Sequence, residues 1–465
     1  MTKKRVRSLA GFQPVRYSCC VNSCVCFVGP YEDLTECPNC KEARFKADGK
    51  PRKNFDYLPV IPRLQAMLAN SMHVEKMCYR ANHEHEPGVI KDVFDGSHYQ
   101  SLLDTIVPAG EADPYFYFSD KRDIALGLST DGFTPFKKRD KTCWPIILFN
   151  YNLPPEIRFQ KKYCIHVATV PGPKKPWDWD SFGWPLVQEL IQLELGVKAF
   201  DAISQALFLL HAFLILVFGD IPAMALIMRM KGQNAISPCR ICDIKGVRTN
   251  SRYYVPLRRD MIPESQPPRY DASHLPIRTH KKLMQQARKV EMASNNAKRN
   301  RLATKYGIKG TPVLSSISSI SFPCSFPFDF MHLIWQNLIP NLIDFWTGKF
   351  KDLDHENEGY VIDDRIWTEI GAATAACGAT IPAAFGAPVP DIATKRHLMN
   401  AEMHANWTLY IAPIVLRGRF KRSQYYQHFM RLVELLKLCL SFEISEAMLN
   451  QIEEGFRLWV EEYEK

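Results

Sequence analysis

The 465-residue chain is short of long apolar runs. Its longest, ALFLLHAFLILVF at 206–218, falls below the ~20 residues of a membrane helix and carries His211 in its middle, so it reads as buried core. A secretory leader is not legible, because the basic start MTKKRVRSLAGF has no apolar segment behind it. Within it, KKRVR reads equally as a nuclear-import patch and as a solvated basic terminus. Internal repeats and low-complexity tracts are missing, which excludes a solenoid or a disordered chain. Charge of one sign is not in large excess either. The 59 Lys and Arg against 49 Asp and Glu leave +10, a mild basic surplus compatible with a polyanionic partner but not demanding one. A 46% hydrophobic and 23% charged composition is that of a globular protein, with length for about two to four domains.

Cysteine is not scarce, but it is unevenly spread. Of 14 cysteines, six lie between residues 19 and 40, two stand at 239 and 242, and six are scattered singly. Without a leader, clustered pairs point to metal sites rather than disulfides. In YSCCVNSCVCFVGPYEDLTECPNCKEARF, Cys20-x3-Cys24 and Cys37-x2-Cys40 make two pincers that can close on one tetrahedral zinc, with thiolates ~2.3 Å from the metal. Cys19 and Cys26 can each stand in for Cys20 or Cys24, and a group of buried reduced cysteines is the plainer alternative.

The middle of the chain is the most ordered to read. DIALGLSTDGFTPF (123–136), CWPIILFNYNLP (143–154) and KYCIHVATVPGP (162–173) read as strands. DSFGWPLVQELIQLELGV (180–197) has helical spacing with Asp180/Ser181 as N-cap, and HAFLILVFGD (211–220) suits a central strand buried on both faces. In this order of three strands, a helix and a strand, the first and fourth strands end on Asp131 and Asp220. If those strands are neighbours, two carboxylates meet, an arrangement a divalent cation such as Mg²⁺ relieves. Singly, each has a bland role: Asp131 as a turn residue before Gly132, Asp220 as the cap of a following helix.

Residues 278–310 carry ten Lys and Arg against one acid, Glu291. A basic helix followed by a basic loop, with Lys281, Lys282, Arg288, Lys289, Lys298, Arg299 and Arg301, reads as a surface for nucleic-acid phosphates or as a solvated helix face. The preceding part of 238–330 reads as irregular. Asp329 reads as the N-cap of an amphipathic helix with His332 on its first turn, and 331–465 reads as successive helices. His83 and His85 read as surface residues of a polar turn.

The Cys20/Cys24/Cys37/Cys40 module, LGLSTDGFTPF, VPGPKKPWDWDSFGWPLVQEL, FGDIPAMALIMRMKGQNAISPCRIC, SFPFDFMHLIWQN and AEMHANWTLYIAPIVLRGRF follow one another in an order that resembles the transposases of CACTA (En/Spm-type) DNA transposons in their fungal form. The resemblance runs over nearly the whole chain. It implies an α/β fold with a ribonuclease H-like mixed-sheet core, a small N-terminal zinc-ribbon-like module and a largely helical insertion and C-terminal region. The expected divisions are the zinc module at 1–56, a helical and loop linker at 57–114, the catalytic core at 115–237, a basic insertion opening with Cys-x-x-Cys at 238–330 and helices over 331–465. It implies DDE-type DNA cleavage and strand transfer, with Asp131 and Asp220 as the first two acids holding Mg²⁺ or Mn²⁺. Cys239 and Cys242 match half of a zinc site that two downstream histidines complete. Double-stranded DNA at transposon ends, homo-oligomerisation of the complete enzyme, no membrane association and the nucleus follow from the same likeness.

The chain departs from the family pattern near its end. A paired-histidine helix and a third acid, a Glu, are expected beyond the helices at 405–465, yet no histidine follows Cys439. His397 and His404 with Glu402 between them, and His332, are the nearest internal residues, Glu402 being a weak match for the third acid. The expectation is a C-terminally truncated transposase that binds zinc and DNA without cutting. The alternative is a catalytically dead, zinc-dependent DNA-binding protein of transposase descent.

Overall fold

The computed structural model describes residues 13–108, 114–134, 142–249, 252–258, 269–351 and 358–465. The basic start MTKKRVRSLAGF lies outside them. The chain forms two compact units. One comprises Met1–His85, Asp92–Val255 and Leu275–Pro327, and the other Glu86–Lys91, Pro256–His274 and Phe328–Lys465.

The first unit is mixed α/β. Among its strands are β1 (Val15–Ser18), β2 (Asn54–Tyr57), β3 (Ile124–Thr130), β4 (Trp144–Asn150), β5 (Ile165–Val170), β6 (Val197–Asp201), β7 (Ala206–Leu210) and β8 (Ala212–Phe218). Six of them make one sheet in the order β1-β2-β5-β4-β3-β8. All neighbours are antiparallel except β3 and β8, which run parallel from Ile124 beside Ala212 to Ser129 beside Phe218. It follows that β1, β3, β5 and β8 all point the same way, so the segments after Ser18, Thr130, Val170 and Phe218 leave from one edge.

Both faces of the sheet are covered. Leu126 and Leu128 of β3, Ile146 and Leu148 of β4 and Leu214 and Val217 of β8 share a core with the long helix α2. On the other face, Ala125, Phe213 and Ile215 pack with Phe94, Tyr99 and Tyr117. Double coverage is why β3 and β8 read as continuous apolar runs instead of alternating ones. A short helix, α1 (Ile61–Leu68), precedes α2 (Trp179–Leu195), whose Trp179, Phe182, Leu186, Val187, Leu190 and Leu193 are buried. Its N-cap is Asp178, whose side chain accepts the N–H of Asp180, so the cap lies two residues before the expected Asp180. Gly196, at φ +90°, ends it.

The apolar run at 206–218 is only half core. It breaks at His211, which is buried, stacks on Tyr115 at 3.8 Å between ring centroids and lies 3.7 Å from Asp123. Beyond the break β7 pairs only with β6, leaving Leu207 74% and Leu209 54% exposed. Composition alone cannot separate the two halves, because both are equally apolar.

The expected boundary at 56 falls inside β2, and β1 and β2 extend the main sheet, so the cysteine-rich segment is built onto the core rather than set apart from it. The insertion is also more regular than expected. After α3 (Ile221–Ile227) it holds two helices, α4 (His280–Glu291) and α5 (Asn296–Tyr306), the second occupying the expected basic loop. Asn295 caps α5 by accepting the N–H of Lys298, and Gly307 in the left-handed region closes it.

The second unit is helical. A π-helical stretch, Met331–Leu338, runs into α6 (Ile339–Trp346), followed by α7 (Asp364–Cys377), α8 (Ala401–Asn406), α9 (Ser423–Cys439) and α10 (Glu446–Tyr463). Trp346, Trp367, Trp407, Phe429, Leu436 and Trp459 fill its core. Asp329 accepts the N–H of His332 at 3.1 Å, the cap expected there, although the turns that follow are π rather than α.

Candidate metal centre and carboxylate edge

Four cysteine sulfurs converge. The Sγ atoms of Cys20, Cys24, Cys37 and Cys40 all lie within 4.8 Å of one another. Each pincer is a tight turn: Cys20 N–H donates to Val25 O at 2.9 Å and Cys37 N–H to Glu42 O at 2.9 Å, with Ser23 at φ +61° and Lys41 at φ +63°. The Asn22 amide N–H reaches Cys20 Sγ at 3.4 Å, and the Asn39 side chain reaches Cys24 Sγ at 3.4 Å. Burial raises the Cys40 thiol pKa, but hydrogen bonds from Asn22, Glu42 and the neighbouring thiols outweigh it and bring it down to about 6. A closed four-sulfur set of this kind fits a structural zinc ion, with no position left for substrate. Cys19 and Cys26 are not interchangeable with these ligands. Both are buried in the main core, whereas Cys20, Cys24 and Cys37 belong to a separate cluster.

The module leans on the loop after β5. Cys24 O accepts the N–H groups of Trp177 at 3.1 Å and Asp178 at 2.9 Å. Ser23 Oγ donates to Gly172 O at 2.6 Å, Lys53 Nζ donates to Ser23 Oγ at 2.7 Å, and Tyr31 OH donates to Asp178 Oδ2 at 2.7 Å.

Asp131 and Asp220 leave the sheet from that same edge. Ser129 is paired with Phe218, and a Cβ on Gly219 would stand 2.8 Å from Thr130 O, so the two chains stay in register past the strand ends. Past this pair, Asp131 and Asp220 are the first acidic residues to follow β3 and β8 at this edge. Both bland roles are also realised. Asp131 Oδ1 accepts the N–H of Gly132 at 2.6 Å, and Asp220 Oδ1 accepts the N–H of Ala223 at 2.6 Å as the cap of α3.

Sequence reading gave Asp180 only a capping role. Asp180, in the first turn of α2, is 9% exposed and its Oδ1 has no partner among the described residues. Burial first, then the charge of Asp178, raises its pKa to about 7, against the pull of Arg229 3.3 Å away. The signal was in the sequence, in WDWDSF, but a helix N-cap was the simpler reading of that acid.

The other expected residues are placed as follows. Cys239 and Cys242 form a turn in which Cys239 Sγ accepts the N–H groups of Ile241 and Cys242, both at 3.4 Å. The Cys242 thiol, backbone N–H groups and Arg278 lower the Cys239 pKa to about 6, despite burial. Among the described residues no third ligand of a metal-binding group joins this pair. Glu402 is exposed in the first turn of α8 in the second unit, with Gly386 against its carboxylate. In that unit His404 is buried and bonded through Nδ1 to Asn400 O at 3.0 Å, His397 is exposed, and His332 Nδ1 lies 2.7 Å from Asp329 Oδ2. Lys281, Lys282, Arg288 and Lys289 stand exposed on α4, opposite buried Leu283, Met284, Ala287 and Val290, and Lys298, Arg299 and Arg301 are exposed on α5. His85 is exposed as expected, whereas His83 is largely covered. Both bond Asp95 Oδ1, at 2.8 and 2.9 Å, and the His83 side chain is 9% exposed.

Residues 109–275 match the model of a protein family described as transposase family tnp2. The matched span runs across β3, β4, β5, α2, β8 and the Cys239/Cys242 turn, and so contains the whole carboxylate edge. No curated protein matches the chain.

Proposed function

We propose that the first unit is the catalytic core of a DDE-type DNA transposase, a divalent-metal-dependent phosphoryl transferase acting on duplex DNA. The observation that carries this reading is the parallel pairing of β3 and β8, from whose neighbouring ends Asp131 and Asp220 depart inside the span matching a transposase family. Three successive antiparallel strands followed by a fourth parallel to the first support a ribonuclease H-like core. The CACTA (En/Spm) assignment, the nuclear location and action as a homo-oligomer on transposon ends rest on the sequence motifs.

The donor set at this edge is all carboxylate, which suits Mg²⁺ or Mn²⁺ and not a thiophilic ion. Such an ion, when bound, lowers the pKa of a water molecule and polarises a phosphodiester oxygen. Asp131 and Asp220 would hold it. Each carboxylate is oriented by one local backbone N–H, from Gly132 and Ala223, so its direction is set before any ligand arrives. The sulfur centre plays a different part, bracing the loop that borders this edge.

The test is an Mn²⁺ titration of the full chain followed by electron paramagnetic resonance. Asp131→Asn and Asp220→Asn should each weaken Mn²⁺ binding by at least ~10-fold, since each removes one charged ligand. Undiminished binding in the double variant would sink the reading.

A second reading, a zinc-dependent DNA-binding protein without catalysis, is favoured by one fact. Both aspartates already serve local hydrogen bonds that explain them without a metal. The same titration separates the two.

A further inference from the structure

The stretch after α3 and the stretch after α5 lie side by side. Met230 bridges Ile308, Lys309 N–H donates to Arg229 O at 2.6 Å, and Lys231 N–H donates to Gly307 O at 2.8 Å. Extended chain alternates its side chains. Met230 and Ile308 are buried at 2% and 0% exposure, so Arg229, Lys231 and Lys309 project to the other, outer side. Lys231 and Lys309 are exposed and Arg229 is half-buried.

A fourth cation joins them from the loop after β5. Desolvation lowers the Lys309 pKa, and the positive charges of Lys175, Arg229 and Lys231 lower it further, so Lys309 feels each of the other three. Lys175 is exposed, on the loop that Cys24 and Ser23 hold. Two acids stand close by and both are engaged. Asp180 Oδ2 takes Arg229 Nη1 at 3.3 Å, and Glu291 takes the N–H and Oγ1 of Thr311, both at 2.7 Å. Lys175, Lys231 and Lys309 are left as surplus charge from three separated parts of the chain. Local helix solvation does not explain such a gathering, and mutual repulsion opposes it unless an anion neutralises it.

The cluster also has a fixed relation to the carboxylate edge. Asp220 caps one end of α3, and Arg229 lies two residues past the other end. A helix of seven residues is ~10 Å long.

We propose that Lys175, Lys231 and Lys309, with Arg229 held behind them by Asp180, form a site for the phosphate backbone of duplex DNA, separated from Asp220 by the one short helix α3. The proposal rests on the reading of those aspartates as a centre acting on DNA. It concerns residues distinct from the basic faces of α4 and α5.

The experiment is binding of a 30-base-pair duplex by the full chain, followed by fluorescence anisotropy from about 50 to 300 mM KCl. Each phosphate contact contributes a slope of about 0.9 in log K against log salt. The variant K175Q/K231Q/K309Q should lose about 2.7 of slope, with affinity near 0.1 M salt falling on the order of 10²-fold. Single variants K175Q and K309Q should each lose about 0.9, which guards against misfolding of the triple variant. An unchanged slope in the triple variant overturns the site, while the Mn²⁺ titration judges the aspartates independently. No DNA binding by the unsubstituted chain overturns both.

Discussion

At the scale of single residues, three aspartates of the first unit differ in character. Asp131 and Asp220 are oriented by short backbone hydrogen bonds, whereas Asp180 is buried with one oxygen unpartnered. Burial keeps the Asp180 pKa at about 7, well above the ~3.9 of an unfolded chain. Between these two values the folded state binds the proton and the unfolded state does not, so this group makes stability fall as pH rises. Asp180→Asn should abolish that slope. Its melting temperature relative to the unsubstituted chain should rise from pH 4.5 to pH 8, by on the order of 1–2 kcal/mol of stability. An equal difference at both pH values would show that Asp180 is ionised like a surface acid.

At the scale of elements, the loop between β5 and α2 has few anchors of its own. It carries Lys174, Lys175 and Trp177, all exposed, and it is held from outside by Cys24 O, Ser23 Oγ and Tyr31 OH. Those holding atoms sit in or beside turns that the four sulfurs close. Removing zinc with a chelator should therefore free the loop while the sheet persists. The expected sign is faster tryptic cleavage at the Lys174–Lys175 bond, read by mass spectrometry, with cleavage in α4 unchanged. A rate at Lys174 indifferent to the chelator would mean the loop stands unaided.

At the scale of the molecule, the 14 cysteines stay as thiols, in keeping with clustered pairs and no disulfide. Reductant should then leave the melting temperature within about a degree, whereas chelation should lower it by several degrees, because a structural zinc contributes folding energy directly. The reverse pattern in a thermal-shift assay would replace the metal with a disulfide. Among the described residues, the sulfur centre, Asp131, Asp220 and both basic regions lie in the first unit, so it is the unit on which the functional tests bear.

The strands at 124–130, 144–150, 165–170 and 212–218 and the helix at 179–195 were legible in the sequence. Apolar runs of the right length, Asp-Gly and Pro-Gly turns and a glycine stop mark them locally. The zinc ligands were half legible. Spacing picked out four cysteines but left Cys19 and Cys26 as substitutes, because which thiol of an adjacent pair points outward depends on the pleat of the chain around it. The split of the run at 206–218 and the second helix at 296–306 were not legible, since exposure of β7 depends on what packs over it and α5 carries almost no apolar face. The sequence by itself determined the local elements and the kinds of donor atom present. Only the tertiary structure decided that the strands ending before Asp131 and Asp220 are parallel neighbours, that the cysteine turns brace the loop after β5, and that the stretches carrying Lys231 and Lys309 pair. These are pairings between segments distant along the chain, set by strand register and side-chain burial, and no local pattern encodes them.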